Sequence, residues 1–283
     1  MTIDFKDKVA IVTGAGGGLG RSHALELSKR GAKVVVNDLG GSVDGSGGSS
    51  EAAEKVVKEI ISSGGQAISN GSSVTDDKGV KLMIDQTINE YGKIDILINN
   101  AGILIDKSFS KMEINDFEKV LNVHLLGSVK PTKAVWEIMK EQNYGRIIVT
   151  SSSSGLYGNF GQTNYGAAKL GLVGFMNTLK LEGQKYNVHV NALTPVAYTR
   201  MTANLMPPEA ENLLTPESVT PAAIYLVSDE APNGIILCAG AGVYSVSKIM
   251  ESDGLSLGLN ATAEDIVNNW EKISNFDDAK AYN

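Results

Sequence analysis

Residues 8–20 read KVAIVTGAGGGLG, and this segment decides the fold. Its first half is an apolar run typical of a buried parallel strand. Its second half places glycines at positions 14, 18 and 20, and a helical pattern follows to about residue 30. Glycines at this spacing allow a tight turn and let the backbone approach a pyrophosphate at the helix N-terminus. A glycine loop alone is a weak signal, but its strand-before, helix-after context predicts a dinucleotide site that includes Gly14, Gly18, Leu19 and Gly20.

The second predicted strand, residues 31–38, ends at Asp38, eighteen residues after Gly20. A carboxylate at this position can accept hydrogen bonds from the adenosine ribose, and it repels a 2′-phosphate. The residue before Gly18 is Gly17 and not a basic residue. Both features favour NAD over NADP. Alternatively, Asp38 is a turn residue that precedes a Leu-Gly-Gly segment.

Strands and helices alternate along the rest of the chain, which is typical of a doubly wound parallel sheet, the Rossmann fold of the α/β class. We predict one domain over residues 1–243, with strand order 3-2-1-4-5-6-7. We expect residues 244–283 to form a C-terminal extension that packs on the domain and contains an amphipathic helix over 263–273. The other predicted strands are 66–70, 94–98, 146–149, 188–193 and 234–238, and the other helices are 51–63, 76–91, 114–141, one that begins near 165, and 216–228.

The composition argues against several classes of protein. The chain has 283 residues, a net charge of −7 and a sequence pI of about 5.1, so neither nucleic acid nor an anionic membrane is an expected partner. No apolar run approaches the ~20 residues of a membrane span, and the N-terminus lacks a signal-peptide pattern. The single cysteine, Cys238, cannot form an internal disulfide, which fits a reducing compartment such as the cytoplasm. The histidines lack ligand spacing, so we expect no metal site.

A second informative stretch is residues 150–169, TSSSSGLYGNFGQTNYGAAK. Tyr165 and Lys169 are four residues apart, so a helix places them one turn from each other. A tyrosine hydroxyl has a pKa of about 10 and is a poor base at neutral pH. A neighbouring ammonium group lowers that pKa, and a base poised near the working pH is what removal of an alcohol proton requires. Such a pair alone is often a coincidence, but here Ser152 stands at a strand end, where it can hydrogen-bond the oxygen that Tyr165 deprotonates.

Together with Asn99-Asn-Ala-Gly102, these motifs resemble the short-chain dehydrogenase/reductase family over residues 6–242. The resemblance implies an NAD-dependent oxidoreductase that acts on CH–OH groups, with Ser152, Tyr165 and Lys169 as catalytic residues. It also implies that Asn122 holds a distortion of the 114–141 helix and a water molecule that links Lys169 to a proton path. A plain buried polar residue is the alternative for Asn122, and Asn99 could contact the cofactor or only tie neighbouring strands. The residues expected to bind the cofactor are Gly14, Gly18, Leu19, Gly20, Asp38, Ser72, Ser73, Asn100, Ala101, Gly102, Tyr165, Lys169, Val196 and Thr199.

Several stretches are similar to one subgroup of that family. The glycine- and serine-rich loop after Asp38, residues 155–162 and the tail resemble the (3R)-hydroxyacyl-CoA dehydrogenase part of peroxisomal multifunctional enzyme type 2 and its free-standing bacterial relatives. This implies NAD-dependent oxidation of a (3R)-hydroxyacyl-CoA thioester in fatty acid β-oxidation. The alternatives are a 3-ketoacyl-thioester reductase, another short-chain alcohol dehydrogenase, or a non-catalytic dinucleotide-binding scaffold. A peroxisomal location is the alternative to the cytoplasm if the chain was cut from a larger protein, although Ala281-Tyr-Asn283 is no peroxisomal address.

Two predicted helices carry apolar residues on more than one face. In the 114–141 helix these residues exceed one narrow stripe, and in the helix near 165 they nearly encircle the axis. Because a helix that covers one side of a sheet should be polar on its outer face, we predict that a homodimer or homotetramer buries these helices. The alternative is that the tail with Trp270 covers them. Residues 202–214, with Met201 and Met206, are predicted to form a lid over the substrate, or the two methionines are ordinary packing.

Overall fold

The computed structural model of the protein describes residues 2–202 and 207–281. The chain forms two compact units, Met1–Ser245 and Val246–Asn283. How the C-terminal extension packs stays a prediction. Residues 203–206 of the predicted lid, which include Met206, lie outside the described residues. That the lid closes over a substrate therefore also stays a prediction.

Eight strands of the described chain form the large sheet, namely β1 (Val9–Thr13), β2 (Lys33–Asn37), β3 (Gln66–Asn70), β4 (Ile96–Asn99), β5 (Gly145–Thr150), β6 (Val188–Pro195), β7 (Ile236–Gly240) and β8 (Val243–Ser247). Their order is β3-β2-β1-β4-β5-β6-β7-β8, and the neighbouring pairs from β3 to β7 are parallel. The predicted fold class and the order of the first seven strands are therefore confirmed, and β8 is an additional strand. The smaller unit pairs β9 (Met250–Glu251) with β10 (Lys280–Ala281) in antiparallel fashion.

The α-helices of the larger unit are α1 (Gly18–Lys29), α2 (Glu51–Ser62), α3 (Asp77–Tyr91), α4 (Ile114–Leu121), α5 (Gly127–Gln142), α6 (Ser153–Tyr157), α7 (Thr163–Gly183) and α8 (Pro216–Leu226). The predicted 114–141 helix is interrupted, because a π-helical segment, Asn122–Leu126, separates α4 from α5. The predicted tail helix is divided at Asn269 into α9 (Ala263–Asn268) and α10 (Trp270–Ile273). None of the helices within the described residues is long and apolar enough to cross a membrane.

Strand β1 shows how the sheet builds a core on each of its faces. Ala10 and Val12 belong to one buried cluster, which includes Leu27 of α1 and residues of α8. Ile11 belongs to a second buried cluster, which includes Met139 of α5 and residues of α3 and α7. Successive side chains of a strand point to opposite faces, so one apolar run can fill both layers. This explains why the central strands are apolar throughout rather than alternating.

The carboxyl ends of three strands meet at one edge of the sheet. β2 and β3 lie on one side of β1, whereas β4 to β7 lie on the other. In open α/β sheets, the ligand crevice forms outside the carboxyl ends of the strands at such a reversal of order. Those ends are Thr13 of β1, Asn99 of β4 and Thr150 of β5. The topology thereby gathers the glycine loop, the Asn-Asn-Ala-Gly segment and the region of Ser152 at one edge.

Candidate active site

The glycine loop between β1 and α1 packs closely against neighbouring backbone. Gly14 has a φ angle of +62°, and a Cβ atom there would lie 2.7 Å from the Cα atom of Ala101. At Gly20, a Cβ atom would lie 2.3 Å from the carbonyl oxygen of Gly14. Side chains do not fit at either position, so both residues have to be glycine. The loop is thereby held against the segment that follows β4.

Helix α1 begins without a side-chain cap. Its N-cap residue is Gly17, which offers no side chain to accept a hydrogen bond from the first turn. The first amide groups of a helix have no partner within the helix, and this end of the helix carries a partial positive charge. This end of α1 can therefore hold an anionic group such as a pyrophosphate.

Asp38 accepts hydrogen bonds from two loops at the end of β2. Its Oδ2 atom accepts a hydrogen bond of 2.7 Å from the Gly16 amide, and its Oδ1 atom accepts one of 2.6 Å from the Gly40 amide. Asp38 therefore has the role in the turn after β2 that the sequence analysis gave as its alternative. The carboxylate also lines the first cavity described below, where it can meet a ribose.

Asn100 and Thr13 join the end of β4 to the glycine loop. Asn100 Nδ2 donates to the carbonyl oxygens of Thr13 and Gly14 at 3.0 Å each. The hydroxyl of Thr13 accepts hydrogen bonds from the amides of Asn100 and Ala101 at 3.0 and 3.1 Å. Asn99 instead points into the structure, where its Nδ2 atom donates to Thr132 Oγ1 of α5 at 3.0 Å. Of the two roles that the sequence left open for Asn99, this contact is the structural one.

A cavity of about 390 Å³ opens among the glycine loop, the ends of β2 and β4, and the segment after β3. An uncapped helix N-terminus, a glycine cradle without room for a Cβ atom and a carboxylate fit the diphosphate and adenosine parts of a dinucleotide. Gly20 does not line this cavity, but it packs closely on the backbone of Gly14 within the loop. The predicted cofactor residues that do line it are Gly14, Gly18, Leu19, Asp38, Ser72, Ser73, Asn100, Ala101, Gly102 and Thr199.

A second cavity, of about 310 Å³, adjoins the first. Both cavities are lined by Leu19, Asn100, Gly102, Thr199 and Met201. The second cavity continues to the ends of β5 and β6. Its lining includes the predicted residues Ser152, Tyr165, Lys169 and Val196.

Ser152, Tyr165 and Lys169 form a cluster in this second cavity. Ser152 is the N-cap of α6, and its hydroxyl accepts a hydrogen bond of 3.2 Å from the Ser154 amide. The same hydroxyl interacts with Tyr165 and lowers the pKa of the phenol. Lys169 is 3% exposed, and its ammonium group donates to the carbonyl oxygen of Thr150. The Lys169 Nζ atom lies 5.3 Å from the centroid of the Tyr165 ring. The arrangement places a phenol, a hydroxyl and a cation around one small volume, as proton transfer to or from an alcohol requires.

Burial sets the protonation of this cluster. Burial raises the pKa of Tyr165 to about 12, while the Ser152 hydrogen bond acts in the opposite direction. Burial also lowers the pKa of Lys169 to about 7. In the structure the pKa of Tyr165 lies above its usual value, so burial outweighs the effect expected of Lys169, and that effect stays a prediction. The reason is that removal from water disfavours the charged form of both groups.

The structure does not bring Asn122 to the cluster. Its side chain is exposed and lines the first cavity, although the predicted distortion of the helix does begin at this residue. The role of Asn122 in a proton path stays a prediction, and the position of its side chain outside the second cavity does not support that role.

His124, two residues later, is buried and lines the second cavity with Tyr165. Sequence reasoning missed His124, because a lone histidine in an apolar helix resembles a core residue; its closeness to Asn122 was the available signal.

Among residues 2–202 and 207–281 there is no group of three or more His, Cys, Asp or Glu side chains that could hold a metal ion. The polar atoms that line the two cavities are mainly hydroxyl, amide and backbone groups. Their chemistry suits a nucleotide and an alcohol.

Comparison with known sequences identifies the class of protein. The family model for short chain dehydrogenases matches residues 8–210. A short-chain type dehydrogenase/reductase of Mycobacterium tuberculosis is 47% identical over 276 residues, which cover 97% of this chain and 96% of that protein. Peroxisomal multifunctional enzyme A of Dictyostelium discoideum is 49% identical over 278 residues, which cover 98% of this chain and 62% of that enzyme.

Solved structures show the same architecture. Full-length peroxisomal multifunctional enzyme type 2 of Drosophila melanogaster superimposes with a TM-score of 0.82 and 36% identity, covering 99% of this chain and 48% of that one. A 7α-hydroxysteroid dehydrogenase complexed with NADH and 7-oxo glycochenodeoxycholic acid superimposes with a TM-score of 0.76 and 27% identity, covering 84% of this chain and 95% of that one.

The chain belongs to the short-chain dehydrogenase/reductase family, and the resemblance seen in the sequence is confirmed. It is an oxidoreductase of the kind that acts on CH–OH groups, and its first cavity fits a nicotinamide dinucleotide. It is related to peroxisomal multifunctional enzymes. The chain spans 62% of the length of the Dictyostelium enzyme and 48% of the length of the Drosophila enzyme.

Replacing Gly20 with alanine is expected to lower the melting temperature, because the added Cβ atom would lie 2.3 Å from the Gly14 carbonyl oxygen. Overpacking of this kind costs about 1–3 kcal/mol, which corresponds to a fall of about 2–12 °C for a domain of this size. The matched control is Gly17→Ala, since a Cβ atom at Gly17 meets nothing within 4 Å and the backbone there is extended. Scanning calorimetry of both variants tests this, and equal melting temperatures would contradict it.

Proposed function

We propose that the chain is an NAD-dependent dehydrogenase that oxidises the 3-hydroxyl group of a (3R)-hydroxyacyl-CoA thioester to a ketone. The observation that carries the proposal is that two cavities adjoin, one lined by Ser152, Tyr165 and Lys169 and the other by the glycine loop. An alcohol beside Tyr165 would therefore lie next to the dinucleotide. The sequence stretches shared with the dehydrogenase part of peroxisomal multifunctional enzymes support the acyl-CoA substrate.

In the proposed oxidation, the phenolate form of Tyr165 accepts the proton of the substrate hydroxyl and becomes the neutral phenol, while Ser152 hydrogen-bonds the oxygen of the substrate. The bond from Ser152 favours the phenolate form of Tyr165, and so does Lys169 when it is charged. We also propose that Lys169, which lines the second cavity and donates to the Thr150 carbonyl, would hydrogen-bond ribose hydroxyls of the dinucleotide. Bound NAD supplies the acceptor for the hydride that leaves the substrate carbon.

The catalytic cavity suits a substrate with an apolar part. Leu104, Pro195, Val196 and Ala197 line it beside the polar cluster. An acyl chain can lie against these side chains while the hydroxyl group reaches Tyr165. The intact polar cluster argues against a non-catalytic scaffold.

A second candidate is the reverse reaction, reduction of a 3-ketoacyl thioester. One observation favours it: burial raises the pKa of Tyr165 to about 12, so the phenol is protonated at neutral pH and can donate its proton to a ketone. The same residues would serve in both directions.

The cytoplasm, with the peroxisome as the alternative, stays the predicted location of the protein.

The preference for NAD rests on Asp38. Its carboxylate lines the first cavity, and its two oxygens are oriented by the Gly16 and Gly40 amides. A fixed negative charge at this point would accept hydrogen bonds from ribose hydroxyls and repel a 2′-phosphate. Arg200 also lines this cavity, so its charge acts in the opposite sense. We propose that Asp38 prevails, because its position is fixed by two short hydrogen bonds.

Tyr165→Phe is expected to lower kcat for the oxidation of 3-hydroxybutyryl-CoA by about 10²–10⁴-fold, the usual contribution of a general base. NADH should still bind, as followed by its fluorescence, because the residues that line the first cavity remain. The matched control is Tyr225→Phe, on α8 and outside both cavities. Near-normal turnover of the Tyr165 variant would remove Tyr165 from the mechanism.

Asp38→Asn is expected to reduce the ratio of kcat/KM with NAD to kcat/KM with NADP by at least about tenfold, because it removes the charge that repels a 2′-phosphate. Asparagine keeps one oxygen for the loop amides, so the fold should survive. Asp44→Asn is the control, since Asp44 lies in the neighbouring loop but does not line the cavity. Equal use of both cofactors by the unmutated protein would refute the preference for NAD.

We also propose that the chain forms a homodimer, alone or within a tetramer, through α4, α5 and α7. On α7, Leu172, Val173 and Met176 are buried against the sheet, but Leu170 and Leu181 are 48% and 65% exposed. The two exposed leucines are eleven residues apart, so they lie on one face of the helix. A symmetric partner would bury this face.

Leu170→Glu is expected to convert a dimer into single chains of 29.9 kDa, because it places a charge in the proposed interface. It is a cleaner test than a change at Phe175, which packs partly on the core of its own chain. Leu82→Glu is the control, since Leu82 is 61% exposed on α3, outside the proposed interface. Light scattering at micromolar concentration gives the masses, and a mass near one chain for the unmutated protein would overturn the proposal.

A further inference from the structure

His124 contacts the proposed catalytic base directly. It lies in the π-helical segment Asn122–Leu126 and is 1% exposed. Its ring centroid is 5.0 Å from that of Tyr165, and the ring planes meet at 84°. Edge-to-face contacts of this kind are favourable and depend on ring orientation. The ring of Tyr165 therefore packs on His124, while its hydroxyl interacts with Ser152.

The imidazole is itself fixed by the backbone that follows β4. Its Nε2 atom lies 2.8 Å from the carbonyl oxygen and 3.1 Å from the amide nitrogen of Ile103. A Cβ atom at Gly102 would lie 2.4 Å from the His124 Cε1 atom, so the ring fills space that only glycine leaves open. The ring is thus tied to the Asn-Asn-Ala-Gly segment, and through it to the glycine loop.

Burial disfavours the charged form of the His124 ring. Burial, and then the charge of Lys169, hold the pKa of His124 well below its usual range. Its Nδ1 atom is buried and has no hydrogen-bond partner among the described residues, and the same holds for Thr150 Oγ1, which lines the same cavity.

We propose that His124 is a positioning residue of the active site, whose ring holds the phenol of Tyr165 where Ser152 can hydrogen-bond its hydroxyl. This rests on the proposed role of Tyr165 as the base. Loss of the ring would loosen the Ser152 bond, which is the interaction that favours the phenolate. Oxidation would then require a higher pH. The ionisable groups that act on Tyr165 or His124 are Lys169 and Asp106, and Asp106 accepts a hydrogen bond from Gln162 of the cavity lining.

Two variants separate the ring contact from the backbone anchor. His124→Gln keeps an amide that can bond the Ile103 backbone but has no ring. We expect it to fold normally, to lose about tenfold or more in kcat, and to shift the alkaline rise of kcat/KM to higher pH by at least about half a unit. His124→Phe keeps the ring but leaves the Ile103 groups unpaired. We expect it to retain the pH midpoint of the unmutated protein and to have a lower melting temperature.

The readouts are the pH profile of 3-hydroxybutyryl-CoA oxidation, NADH binding and the melting temperature. His189→Gln is the matched control, a histidine on β6 outside both cavities. An unshifted pH profile in His124→Gln, or a shift of equal size in His124→Phe, would overturn the proposal. Tyr165→Phe, measured in parallel, separates the two hypotheses: if it stays active, the proposed function fails, whereas if it is inactive and His124→Gln is normal, only the role of His124 fails.

Discussion

The contact between the glycine loop and the end of β4 is the constraint on which the rest of the structure depends. Gly14 leaves no room for a side chain, and Asn100 donates to the carbonyls of Thr13 and Gly14. These contacts join β1 to β4 at the reversal of strand order, where the crevice of an α/β sheet forms. One cavity opens towards β2 and the other towards β5, and they share this junction. A dinucleotide in the first cavity and an alcohol in the second would thereby lie side by side.

Burial gives the catalytic cluster a protonation state that its residue types alone would not suggest. In water a lysine is charged and can help a nearby tyrosine to ionise, but here removal from water disfavours the charge on both Tyr165 and Lys169. The hydrogen bonds to Ser152 and Thr150 act against this tendency. The balance between a protonated phenol and a phenolate is therefore sensitive to small changes in geometry, which is why groups that fix the Tyr165 ring matter.

The π-helical segment illustrates how backbone geometry decides which residue reaches the active site. The sequence predicted a helix distortion at Asn122, and asparagine is unfavourable in the middle of a regular helix. In the structure the irregular segment begins there, yet Asn122 is exposed and His124 is buried beside Tyr165. An extra residue in a helical turn rotates the following side chains by about 100° relative to a regular helix. Periodicity in the sequence assumes a regular helix, so it cannot place these side chains.

The sequence by itself determined the class of fold, the order of seven strands and the residues around the glycine loop. It could do so because apolar runs, glycine spacing and the i, i+4 pair of Tyr165 and Lys169 are local patterns with one regular geometry each. Only the tertiary structure decided the hydrogen bonds of Asp38 to two loop amides, the pKa shifts of the cluster and the contact of His124 with Tyr165. These depend on residues distant in sequence and on exclusion of water, and neither is encoded in local spacing.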